Sequence, residues 1–183
     1  MKSIHDQTDG AMVQNQKHAT EVAGVHADAP AEHLFFAQYR YWMAGYTTRD
    51  MFCWDCAWDV LLRYVSLDAG KALYAEFHLF TRVLNQRSQR PIGWLPDVCR
   101  CLCRDEYWVL NLVGASQQNN SHEELLAAAE LVGIDEARIL LAASRSLGRA
   151  LMAENFVLAP FGGVLTRTIA QAPSTGAWPG TRH

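Results

Sequence analysis

Five cysteines fall into two clusters, Cys53 and Cys56 as C-W-D-C, then Cys99, Cys101 and Cys103 as C-R-C-L-C. On a helix, residues i and i+3 share a face, so Cys53 and Cys56 can address one point. Cys99 and Cys103 do the same if their stretch is helical, with Cys101 pointing away. The two thiolate pairs are then a donor set for a tetrahedral zinc ion or an iron–sulfur cluster, because soft sulfur suits both. The spacing is not that of a zinc ribbon, whose second pair would again be CxxC. The competing reading is packing. Free cysteine behaves as a small hydrophobe, and Phe52, Trp54, Trp58, Val98 and Leu102 surround these thiols in sequence. Packing is preferred, with a metal-binding or thiol-redox protein as the alternative. An odd cysteine count also favours reduced thiols over a disulfide frame.

The C-W-D-C stretch resembles the CxxC helix of all-α alkylhydroperoxidase-like proteins. That resemblance covers these four residues alone. The family's histidine, four residues past the second cysteine, is here Val60, and the nearest downstream histidine is His78. With a helix start at Thr47, Cys53 falls in the second turn, beyond the strongest helix-dipole effect, and Asp55 opposes a thiolate. No G-x-S-x-G, H-E-x-x-H, P-loop or G-x-G-x-x-G motif occurs, and the Glu-x-x-His pairs of di-iron bundles are missing. No catalytic residue is assigned.

Residues 121–142 invite comparison with a helix-turn-helix, through Ala129, Gly133, Ile134 and Ile139. The would-be recognition helix is too apolar and offers only Arg138, Arg145 and Arg149 for base edges and phosphates. DNA reading is a third possibility, and nucleic acid is not an expected partner. The rings Phe35, Tyr39, Trp42 and Tyr46 wrap more than one face of the first helix. They are the expected interaction surface, since exposed Tyr and Trp favour interfaces. Arg40 and Arg49 beside them are expected to stack on the rings or to pair with Asp55 and Asp59.

The elements that must position these residues are helical. Helices are expected over 31–44, stopped by Gly45; over 47–65, opened by a Thr47/Asp50 capping box; and over 68–86. Others follow over 104–118, over 121–132 from a Ser121/Glu124 capping box to Gly133, and from an Asp135 cap to about 155. The second is polar only along Asp55, Asp59 and Arg63, which predicts a central place in the bundle. No period-2 alternation or hairpin turn signals a strand. The expected fold is therefore an all-α compact bundle of about six helices with flexible N- and C-terminal tails. Its parts are a disordered arm over 1–30, a helical domain over 31–159 and a Pro/Gly-rich tail over 160–183.

The chain has 183 residues and a formal net charge of −3, with 50% apolar residues and 19% charged. One domain fits that length. The slight acidity argues against a phosphate-backbone binder, and no apolar run is long enough to span a membrane. The N-terminal stretch has neither a signal-peptide core nor transit-peptide composition. The expected function is a cytoplasmic, non-enzymatic, regulatory or accessory module acting by protein–protein contact, with a protein partner or a second copy of itself.

Overall fold

The computed structural model describes residues 29–99 and 101–159, together with the backbone of 22–26. Among these residues six helices and one short antiparallel strand pair form an all-α bundle. Strand β1, Val22–His26, precedes helix α1, Pro30–Thr48. Helix α2, Phe52–Leu61, and helix α3, Leu67–Arg87, follow. A long loop leads to strand β2, Cys101–Cys103, and straight into α4, Arg104–Gln117. Helices α5, Ser121–Val132, and α6, Ala137–Ala153, complete the bundle. No described helix is long and apolar enough to cross a membrane.

The core is the sum of one apolar stripe from each helix. Leu34, Phe35 and Met43 of α1 meet Leu73, Phe77, Phe80 and Leu84 of α3. Val109, Leu110, Leu112 and Val113 of α4 meet Leu131 of α5 and Leu140, Leu147 and Leu151 of α6. Such stripes at i, i+3, i+4 and i+7 are what drives helices to pack. Helix α3 starts where Ser66 accepts a hydrogen bond from the Ala69 amide, the expected side-chain cap. Where α4 and α6 cross, the small residues Gly148, Ser116 and Ser144 allow close approach, and the two hydroxyls share a buried 2.8 Å hydrogen bond.

Several expected boundaries are corrected. Gly45 does not stop α1, which continues to Thr48 and ends on Arg49 in the left-handed region at φ 59°. Gly45 is instead buried under the Trp54 indole, which leaves no room for a Cβ. Helix α2 does not begin at Thr47, whose hydroxyl donates back to the Met43 carbonyl inside α1. The N-cap position is Met51, without a side-chain cap, and Asp50 just before it accepts from the Phe52 amide at 2.9 Å. Helix α2 is not central either: it is short, and only Ala57 and Leu61 are buried. The cap of α5 is Asn120, whose side chain accepts from the Glu123 amide, and Asp135 does not cap α6, which begins at Ala137 without a side-chain cap. Ser121 is exposed, while Glu124 is buried and bonded to Arg145 across to α6.

A strand pair was not expected, and residues 22–26 fall within the arm assigned no regular structure. β1 pairs with β2 in the register Val22 to Cys103, with an irregularity between Ala23 and His26. The reason is non-local: β2 lies almost eighty residues away, so local periodicity carries no trace of the pairing. Residues 29 and 30 of that arm are also described, Pro30 opening α1; apart from β1, its other residues and the 160–183 tail lie outside the described residues.

Candidate functional site

Arg40 organises the second cysteine cluster. Its place on α1, four residues after Phe36 and three before Met43, puts it on the buried face, where it is 4% exposed. Its Nε and Nη2 donate to Glu106 at 2.7 and 3.1 Å. The remaining N–H groups reach the carbonyls of Pro96, Cys99 and Cys101. All five guanidinium donors are therefore engaged within the chain, and the guanidinium also lies 5.5 Å from the Phe36 ring centroid. Glu106 in turn accepts from the Leu95 and Cys103 amides at 3.0 and 2.9 Å. The expected pairing of Arg40 with Asp55 or Asp59 does not form, because those carboxylates lie on the outer face of α2.

Asp105 repeats this pattern beside it. It takes both ends of the Arg90 fork at 2.6 Å and the Gly93 amide at 2.7 Å. Two acidic residues in the first turn of α4 thus tie down the loop before β2. The Arg40 guanidinium has no donor to spare for a ligand, and both carboxylates hold backbone amides of the loop or of β2.

The five cysteines carry free thiols. Cys103 sits at the N-cap of α4, fully buried, and burial next to Glu106 and Asp105 pushes its thiol far above the usual range. Cys99 and Cys101 are half-buried and give their carbonyls to Arg40. Cys53 and Cys56 ride on α2, also half-buried. Because α2 starts at Phe52, Cys53 lies in its first turn and not in the second. Its thiol is still raised, chiefly by burial and also by Asp50. Among the described residues no three His, Cys, Asp or Glu side chains gather as a metal-ligand group. Cys53, Cys56, Cys99 and Cys103 therefore do not close into one four-thiolate centre.

The rings expected at the surface are mostly inside. Phe35, Tyr39 and Trp42 are buried and Tyr46 is half-buried. Trp42 anchors an aromatic cluster, with Tyr74 at 4.8 Å, Trp54 at 5.6 Å and His78 stacked on it at 4.9 Å. Tyr39 donates to the Gly93 carbonyl at 3.0 Å. They were misplaced because α2, α3 and the loop before β2 cover the flanks of α1 that sequence alone leaves bare.

What α2 leaves open is its own outer face. Phe52, Asp55, Cys56 and Asp59 lie at i, i+3, i+4 and i+7, opposite buried Ala57 and Leu61. Phe52 is 68% exposed and the preceding Met51 70%. Beside this face a cleft of about 200 Å³ opens between α1, the end of α2 and the loop before β2. Its walls include Phe36, Val60, Arg40, Arg63, Tyr41 and Asp97. Tyr41 donates to Asp97 at 2.6 Å, and that bond pushes its phenol up to about 12. His33 Nδ1 and the Tyr64 hydroxyl close the other side at 3.0 Å.

The segment compared with a helix-turn-helix, residues 121–142, spans α5 and the start of α6. Helix α6 buries Leu140, Ala143, Ser144 and Leu147 against its neighbours. Arg138, Arg145 and Arg149 are all exposed, and Arg145 is paired with Glu124 at 2.6 Å. Compared with family models, with curated proteins and with solved structures, the chain matches none of them.

Proposed function

We propose that this chain is a non-enzymatic helical module of regulatory or accessory type, working by protein–protein contact through the outer face of α2. One observation carries the reading. An apolar helix gives two residues to its own core and leaves Phe52 and Met51 in water. Surface burial of such side chains is worth about 25 cal/mol per Å² of apolar area, and exposed aromatic clusters mark interaction sites.

The test is photocrosslinking in the source cells with a photoreactive phenylalanine analogue at position 52 and, as control, at exposed Asn85 of α3. It is paired with static light scattering of the purified chain. The expected result is a discrete adduct or a defined oligomer from position 52 and none from position 85. A strict monomer with no adduct from position 52 would overturn the reading.

A further inference from the structure

From the charge distribution around that face we infer the partner's chemistry: α2 receives a basic amphipathic segment of another protein, its apolar side chains on Met51 and Phe52 and its cations over Asp50, Asp55, Asp59 and Asp97. The inference rests on the contact reading above and adds to it the sign of the partner's charge.

Four carboxylates surround Cys56. Asp55 and Asp59 flank it on the helix itself; Asp50 stands at the helix start and Asp97 in the facing loop. All four act on its thiol and, after burial, raise it. None of them forms an ion pair among the described residues, although Asp97 accepts from Tyr41 and Asp50 from the Phe52 amide. Among the described residues the nearby cations are Arg49 and Arg63 at the two ends of α2 and Arg40 in the cleft wall; Arg40 is paired with Glu106, so four carboxylates meet two unpaired guanidinium groups. Exposed apolar residues adjoin these carboxylates in sequence. Met51 and Phe52 project from the first turn, and Val98, next to Asp97, is 83% exposed. Carboxylates interleaved with exposed apolar groups exclude phosphate backbones and anionic lipid by like-charge repulsion. They match an amphipathic cation, whose apolar stripe and ammonium or guanidinium groups are presented together along one helix.

The experiment titrates the full chain with two synthetic peptides about 18 residues long, five helical turns, one of Lys and Leu and one of Glu and Leu at the same spacing. Fluorescence anisotropy of the labelled peptides reads binding. The Lys/Leu peptide should bind at least about tenfold tighter at low salt, with the margin shrinking as salt rises. Asp55→Asn with Asp59→Asn should weaken it about tenfold, and Phe52→Ser should do the same while leaving the circular dichroism melt in place. Equal binding of both peptides, or indifference to these exposed substitutions, overturns the inference. Self-association in sedimentation that Phe52→Ser abolishes would assign the face to a second copy and also overturn it. Adducts from position 52 with no charge preference would sink the basic partner alone and leave the contact reading standing. Absence of both adducts and peptide binding would remove the two together.

Discussion

Arg40 and Glu106 form an ion pair with side-chain exposures of 4% and 0%, so neither charge has water to fall back on. Removing one partner strands the other. Arg40→Met is expected to cost about 3–5 kcal/mol, since the buried carboxylate keeps only two backbone amides. Adding Glu106→Gln should recover part of that loss by removing the buried charge, and only part, because the Leu95 and Cys103 amides bond to different oxygens of Glu106 and the single oxygen of glutamine accepts from one of them. Urea unfolding of wild type, single and double variants checks it; a double variant no better than Arg40→Met would refute the argument. Cys103 gives a pH signature at the same scale. Its folded thiol titrates far above the unfolded value of about 8.5. Below that pH both states are protonated and nothing is gained or lost. Above it the unfolded chain releases the proton while the folded chain keeps it, so stability falls as pH rises, by up to about 1.4 kcal/mol per unit. Cys103→Ser retains a capping oxygen and cannot ionise, so its stability should fall less steeply between pH 8.5 and 10. Denaturation at three pH values across that window reads the difference, and parallel slopes would dismiss the role given to Cys103.

At the scale of elements, Gly45 shows where local rules yield to packing. Alanine is favoured over glycine inside a helix by about 1 kcal/mol. Here the added methyl would overlap the Trp54 indole, and overpacking of that kind costs about 1–3 kcal/mol. Gly45→Ala should therefore lower the thermal midpoint, and in a Trp54→Leu background it should lower it less or raise it. An increase in the wild-type background would contradict the packing account. The same residue marks the limit of what the chain's pattern reveals. Glycine signals both helix ends and close approaches, and only the partner surface tells which. Helices α3 to α6 were legible because each combines a long apolar stripe with punctuation at its ends, even where the capping residue proved to be Asn120 and not Ser121. The start of α2 was misread because Thr47 and Asp50 satisfy a capping spacing that α1 overruns. The burial of Phe35 and Trp42 was misread because they pack on rings of α2 and α3, and that of Tyr39 because its hydroxyl reaches Gly93 in the loop before β2; no window around α1 contains these partners. The Arg40–Glu106 pair was missed for the same reason, although an arginine in step with Phe36 and Met43 is a signal of a buried cation. Of the cysteines expected among apolar neighbours, Cys103 is buried and the other four are half-buried. Whether they meet is a matter of tertiary distance, to which spacing is blind.

For the whole molecule, the two ends of the helical body are tied together by side-chain-to-backbone bonds. Beyond α6 the chain turns back at Asn155, in the left-handed region at φ 62°, and runs along α4. There the Gln117 amide donates to the Phe156 carbonyl and its oxygen accepts from the Leu158 amide, both at 2.8 Å. Leu158 is fully buried, and the Ala159 amide reaches Glu32 in the first turn of α1 at 2.7 Å. The segment thus closes the core between the first helix and the last. Ending the chain after Glu154 would expose the Leu158 site and leave a buried glutamine without either partner. Apolar burial of about 1.5–3 kcal/mol and an unsatisfied polar side chain of about 1–3 kcal/mol make a loss of about 3–5 kcal/mol. Ending it after Ala159 keeps every one of these contacts and should leave the unfolding midpoint near that of the full chain. Leu158→Ala separates the two contributions, since it removes the side chain and spares the backbone bonds, and about 2–5 kcal/mol is expected. Equal midpoints for the chains ending at 154 and 159 would mean that the closing segment contributes nothing to the fold.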